Sequence, residues 1–346
     1  MNNKGIFGNP SDKCTREFVS KEATIIGVVS LPQETFQPST HTKTSVLFLE
    51  KGKTQPNTLF MAIPVAAGHN KNGKETYKMN PNGSLISDSQ GNKILDDDLP
   101  MVAERFRKYL RGELGDITHL GFSQDYTTLG DHIFIPEYYN PEIKKDLLSL
   151  EKSGKYHLVT IGELIDKNIL QIRRGNEIGS QFYGTGEIPF VRTTDIVNWE
   201  IKIDPVKAVA EEIYDQYKKQ QDIQERDIVF VNDGTFLIGK TAIITKFDIR
   251  IIIQSHLKKI RVLDDKMLNA FYLFYLLNAK IVRRQIDSKT FVQATLSTLG
   301  NRLAEIVLPI STDKKHINEI TREVKDLIEQ KMILRQKTMN LIGGSS

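Results

Sequence analysis

The string Gly234-Thr-Phe-Leu-Ile-Gly239-Lys240-Thr241 fits G-x-x-x-x-G-K-[ST], the pattern of a loop whose backbone amides cradle nucleotide phosphates. Such a loop opens a helix whose N-terminus helps to hold the anion. Here the following residues, Ala-Ile-Ile-Thr-Lys-Phe-Asp-Ile-Arg-Ile-Ile-Ile, are rich in β-branched side chains, and the loop interior is bulky and apolar. A strand–turn–strand, with Gly234 and Gly239 permitting tight turns, is therefore expected, and nucleotide binding through 234–241 is the alternative. The histidines at 41, 69, 119, 132, 157, 256 and 316 show neither H-x-x-x-H nor H-E-x-x-H spacing, so no metal site is expected. There is no G-x-S-x-G elbow, and Asp96-Asp97-Asp98 reads as a solvated turn or helix start.

Chemistry on a flipped adenine would need an Asn-Pro-Pro-aromatic string, whose polar groups accept from the amino group while the ring stacks on the base. The Asn-Pro pairs at 9–10, 80–81 and 140–141 lack the second proline and the aromatic. No glycine-rich loop follows the first strand to admit S-adenosylmethionine. No catalytic residue is expected.

The chain has 346 residues and a formal net charge of +4. That length suggests two domains or three. One cysteine, Cys14, excludes an internal disulfide framework, and a reducing, cytoplasmic location is expected. No stretch approaches the ~20 apolar residues of a membrane span. MNNKGIFGNPSDK has no apolar core of a secretory signal. Between Lys280 and Asn340 the net charge is +5, compatible with a polyanion partner or with a solvated helix surface.

These residues need elements to position them. Residues 9–22 read as a helix capped by Asn9 or Ser11. Runs 24–31, 44–51 and 57–64 read as strands buried on both faces. Residues 68–98, rich in Gly, Asn and Asp, read as turns, and Leu99–Arg111 as a helix with apolar positions at Leu99, Val102, Phe106 and Leu110. A boundary is expected at 136–155, with a β-rich unit from Tyr156: strands at 157–161, 188–192, 227–231, 241–245 and within 250–262, then a single helix over Lys266–Gln285. From Asp313 to Leu341 a helix repeats Ile320, Leu327, Leu334 and Leu341 every seven residues, with Ile317 and Val324 three before the first two. That is half of a coiled-coil seam, broken at Lys331 and Thr338. No internal repeat is evident.

The segments GIFGNPSDKCTREFVSKEATIIGVVSLPQETFQPSTHTKTSVLFLEKGK, NTLFMAIPVAAGHNKNGK and DDDLP resemble the C-terminal part of the catalytic domain of N6-adenine DNA methyltransferases, closest to the modification subunits of type I restriction-modification systems. YHLVTIGELI, GEIPFVRTTDI, DGTFLIGKTAII, QSHLKKIRV and FVQATLSTLGNRLAEIVLPI, followed by the long terminal helix, are similar to one half of a type I specificity (S) subunit. The resemblance implies an α/β chain: a partial methyltransferase-like, Rossmann-like sheet fragment over 1–135, a linker at 136–155, an α+β target recognition domain over 156–312, and a spacer helix over 313–341.

What it implies for function is sequence-specific recognition of double-stranded DNA in a restriction-modification system. Adenine methylation would then be directed to the site through a catalytic partner or a missing N-terminal part. S-adenosylmethionine is expected there, with no cofactor held by this chain alone. Phe36, after the LPQET turn, corresponds to the aromatic that stacks on the flipped base. Base readout uses Arg, Lys, Asn, Gln and Ser/Thr at loops. The candidates are Arg173, Arg174, Asn176, Gln181 and Tyr183; Arg192, Thr193, Thr194 and Asn198; and Gln254, His256, Lys258 and Lys259. Arg192 leads them, directly after an apolar strand. Lys280, Arg283 and Arg284 are phosphate candidates. The terminal helix would pair with a modification subunit or a second specificity chain. An inhibitory or scaffolding protein of the same complex, without DNA reading, is the alternative.

Overall fold

The structure is a computed structural model that describes residues 6–40, 42–52, 57–202, 205–234, 236–293 and 296–343. Thr235 of the glycine string and His41 lie outside the described residues. The chain forms two compact units, Met1–Lys145 with Phe291–Ala294, and Asp146–Thr290 with Thr295–Ser346.

In the first unit, strands β1 (Ala23–Ser30), β2 (Ser45–Lys51), β3 (Thr58–Ala62) and β4 (Phe122–Asp125) form a sheet in the order β2-β1-β3-β4. Only β1 and β3 run parallel, so the sheet is mixed, and its pairing does not by itself show the Rossmann-like fragment expected. β1 and β3 are buried, as their unbroken apolar runs require. β2 instead lies at the sheet edge with Val46 and Leu49 exposed, so the two-sided burial expected for 44–51 does not hold. Helix α1 (Lys13–Glu22) follows a 3-10 turn at Pro10–Asp12, and neither Asn9 nor Asp12 caps with its side chain. Helix α2 (Leu99–Leu110) covers one sheet face. Its Phe106 ring sits 4.5 Å from Phe48 and 5.1 Å from Phe60.

Residues 67–98 hold a repeat that the sequence analysis did not find. Tight turns close at Asn70–Lys74, Asn80–Ser84 and Asp88–Asn92, each with the glycine N–H donating to the first residue's carbonyl. Between them the backbone closes on itself. Lys78 N donates to Ile94 O, Ile94 N to Ile86 O, and Ile86 N to Lys78 O. Gly68, Thr76 and Asp96 make a second ring in the same manner. Backbone groups in largely polar residues are thereby satisfied without an apolar core. The spacing between turns is unequal, which hides the repeat from a fixed-period search.

The stretch 136–155, expected as a linker, contains a 3-10 turn at Pro136–Tyr139 and helix α3 (Pro141–Lys152). In the second unit β5 (Tyr156–Thr160) leads into α4 (Ile161–Asp166) through a capping box between Thr160 and Glu163. The central sheet is antiparallel, in the order β12-β10-β14-β6, from β6 (Leu170–Arg174), β10 (Ile228–Val231), β12 (Thr241–Ile243) and β14 (Leu257–Val262). Short pairs surround it. β7 (Phe190–Val191) runs parallel to β13 (Ile252–Ile253), and β8 (Ile196–Val197) pairs with β9 (Glu200–Ile201). β11 (Asp233–Gly234) pairs with β16 (Leu296–Thr298), which follows β15 (Phe291–Gln293) in the chain, and β17 (Val307–Ser311) pairs with β5. The core gathers Ile228, Phe230 and Ile260 under α6 (Ala270–Asn278).

The helix expected over Lys266–Gln285 breaks at Ala279, whose ψ of 142° is extended, and α7 (Lys280–Lys289) follows. Asn278 accounts for the stop. Its amide donates to Thr241 Oγ1 and Phe274 O, both at 2.8 Å, instead of leaving the turn free to continue.

Helix α8 (Lys314–Gly343) packs on α6 through Ile317, Ile320, Val324, Ile328 and Met332. The seven-residue series departs from this face: Leu327 is 47% exposed, Leu334 62% and Leu341 77%. A straight helix drifts ~20° per heptad, so a strict seven-residue repeat rotates away from a single contact line. Lys331 interrupts the expected seam because it pairs with Glu200 at 2.7 Å, and Arg335 pairs with the buried Asp248 at 2.7 Å. The helix is thus pinned to the loops of its own unit.

Candidate nucleic-acid interface

The three polar segments nominated from sequence meet at one end of the central sheet. Asn176 bridges Gln254 in parallel register, and Asn176 N donates to Ile253 O at 3.0 Å. Gln254 N donates to Val191 O at 2.8 Å, which brings the 192–198 segment beside it. Pairing of β6 with β14 sets Arg174 opposite Lys258 and Arg173 opposite Lys259. Strand alternation then sends these two pairs to opposite faces.

On one face lies a charge cluster that sequence reasoning missed. Asp227 accepts from Arg261 Nε and Nη2, both at 2.7 Å, and Asp222 accepts from Arg261 Nη1 at 2.6 Å. Lys259 donates to the Asp222 carbonyl at 2.6 Å and sits 3.6 Å from the Asp227 carboxylate. Lys259 is 0% exposed, so its nomination as a DNA contact is overturned. The strand's alternation turns it inward, where burial, helped by Arg261 and Arg173, lowers its pKa to about 8 against the pull of Asp227 and Asp222. Arg173 donates to Gln220 O at 3.1 Å beside the same cluster.

The other face carries the basic rim. Asp233 accepts from Thr298 Oγ1 and Asn232 Nδ2, and its second oxygen lies 3.9 Å from Arg174 and 3.6 Å from His256 Nδ1. Lys258 donates to Gly300 O at 2.7 Å, and burial holds its pKa below the ordinary lysine value. Arg174 donates to Ser255 O at 2.7 Å and remains largely exposed. Arg174, Lys258 and the His256 ring thus gather near one carboxylate, an arrangement that can meet phosphate or a guanine edge. Asp233 carries little local sequence signal, because apart from Asn232 its partners are distant in sequence: Arg174 of β6, His256 just before β14 and Thr298 of β16.

The remaining candidates are distributed. Gln181 and Asn198 are exposed. The Tyr183 ring stacks on Phe190 at 5.6 Å with the Lys207 ammonium 4.7 Å above it. Arg192 is bound to Asp195, its backbone N–H at 2.8 Å and its guanidinium at 3.2 and 3.3 Å, with Thr193 and Thr194 in the 3-10 turn between. Lys280 is exposed at the start of α7. Arg283 donates to Ile238 O at 2.9 Å, and Arg284 pairs with Asp146. In the first unit Phe36 lies half exposed in a turn.

The glycine string joins β11 to β12, and Lys240 is followed by a strand rather than a helix. A Cβ on Gly239, whose φ is +80°, would fall 2.1 Å from Arg283 Nη1. The string therefore does not open the helix that a nucleotide loop requires, and the nucleotide-loop alternative fails. Among the described residues no cluster of His, Cys, Asp and Glu could hold a metal.

Residues 153–336 match the family described as "Type I restriction modification DNA specificity domain". Solved structures similar to this chain include the type IIG restriction endonuclease BpuSI, at 9% identity and a TM-score of 0.40 over 92% of this chain and 41% of that one. A second is the S subunit of a type I restriction-modification system from M. genitalium, at 12% identity and 0.35 over 94% and 91%. A third is the HsdS subunit from Thermoanaerobacter tengcongensis, at 14% and 0.32 over 57% and 46%. The chain thus spans less than half the length of the endonuclease. No curated protein sequence matches it.

Proposed function

Because the chain belongs to the type I restriction modification DNA specificity family through residues 153–336, we propose that its second unit reads duplex DNA with the convergent polar rim. The convergence of 174–176, 192–198 and 254–258 at one sheet end is the observation that carries this reading. Arg174, Asn176, Gln181, Gln254, His256 and Lys258 would face base edges, and Lys280 the phosphates. Arg192 would act through the 193–195 turn that it braces.

In this proposal residues 1–135 are the C-terminal part of an N6-adenine methyltransferase domain, with Phe36 stacking on the flipped adenine. This chain contains neither the glycine-rich loop nor the Asn-Pro-Pro-aromatic string, so it offers no residues to hold S-adenosylmethionine. The methyl donor would be held by a modification subunit that this chain directs, or by a preceding part of the same enzyme. Leu327, Leu334 and Leu341 form the outward stripe of α8 on which that subunit or a second specificity chain would pack.

The test is selection from a random duplex library by the chain with its modification subunit. Enrichment of one motif supports the proposal. An unenriched pool with intact assembly favours the scaffolding alternative.

A further inference from the structure

Gln221 is the last residue of helix α5 (Glu211–Gln221) and is 2% exposed. Its Oε1 accepts from Ile253 N–H at 2.9 Å, and its Nε2 donates to Ile253 O at 3.0 Å. One side-chain amide therefore pairs with both backbone groups of a strand residue, as a neighbouring strand would. The same Nε2 donates to Asn176 Oδ1 at 3.0 Å, and Asn176 Nδ2 donates to Gln220 Oε1 at 3.2 Å. The end of α5 is itself fixed, since Lys259 and Arg261 both donate to the Asp222 carbonyl.

Gln221 thus ties together the backbone at Ile253 and the side chain of Asn176, on two of the segments assigned above to base readout. We infer that Gln221 is a positioning residue for DNA specificity: it sets the register between the 174–177 and 252–256 segments without touching DNA. This rests on the proposed DNA-reading role. The chemistry requires glutamine, because the site needs one acceptor and a donor amide shared between two oxygens. Glutamate would keep the acceptor and lose the donors, and leucine would lose both.

The fold supplies its own control. Gln285 of α7, also 2% exposed, pairs with Val307 in the same way, with N–H to Oε1 and Nε2 to carbonyl both at 2.8 Å. Its side-chain partners among the described residues, Ile281 and Val307, lie outside the candidate base-reading segments.

The experiment compares Gln221→Leu with Gln285→Leu in the full chain with its modification subunit. Affinities for the selected site and for a scrambled duplex are measured at one salt concentration, at a temperature where both variants are folded by circular dichroism. Gln221→Leu should lower the ratio of the two affinities about tenfold, the worth of one base contact, with scrambled-duplex affinity unchanged. Gln285→Leu should keep the ratio. A third variant, Gln221→Glu, should recover discrimination as pH falls and its carboxyl regains a donor proton, whereas Gln221→Leu should show no such recovery. Undiminished discrimination in Gln221→Leu, or equal loss in Gln285→Leu, overturns the inference. Absence of discrimination in the unmodified chain overturns the DNA-reading role on which it rests.

Discussion

Lys259 gives a prediction whose sign and size follow from the buried cluster. Its pKa falls from an ordinary 10.5 to about 8 because the ammonium is buried beside Arg261 and Arg173, against the attraction of Asp227 and Asp222. At ~1.36 kcal/mol per tenfold, the folded state disfavours the charged form by roughly 3 kcal/mol. Below pH 8 both folded and unfolded chains hold the proton, and the penalty is fully present. Between about 8 and 10.5 the unfolded chain binds a proton that the folded chain has released, so stability rises with pH there. In Lys259→Met the contribution is gone. The cluster then keeps Arg261 and Arg173 against Asp222 and Asp227, and the Asp222 carbonyl keeps its bond from Arg261. Urea midpoints of both proteins from pH 7 to 10.5 should show the original chain gaining on the variant by up to roughly 3 kcal/mol. Comparing the two removes the titration of every other group. A constant difference across that range refutes the argument.

Arg335→Ala should destabilise by about 3 kcal/mol in urea unfolding, because it strips the buried Asp248 carboxylate of its cation and, among the described residues, leaves the Thr245 donors. Conversely, Leu334→Lys with Leu341→Lys should change stability by less than about 0.5 kcal/mol each, since both side chains are exposed. On the proposed role of α8 the pair should nonetheless weaken assembly with the modification subunit in sedimentation. Unimpaired assembly would move the partner surface elsewhere.

What the residues revealed was local. Unbroken apolar runs marked β1, β3, β10 and β12, and the terminal helix was legible over most of its length. What they hid depended on partners. Residues 44–51 carry the same apolar run as a buried strand and lie at an edge, because pairing, not composition, decides which strand is last. Ala279 is an excellent helix former and still ends a helix, through the Asn278 bond to Thr241. The leucines of α8 look like a seam, but the contact line follows a three- and four-residue stripe. In the site, polar segments near strand ends were visible, the first of them punctuated by glycine, and they converge. Which face each lysine takes was not: Lys258 and Lys259 are adjacent and identical in type, and the strand sends one to the rim and the other into the cluster. Asp233, Gln221 and Asp227 were missed because their meaning comes from residues far along the chain.

The central claim is met most directly by one ratio: the affinity of the chain, with the modification subunit proposed for it, for a selected duplex, against a scrambled duplex, at physiological salt. A sequence reader gives a ratio of roughly 10³ or more. A ratio near one, with binding that merely falls as salt rises, would mean that the convergent rim grips phosphates and reads nothing.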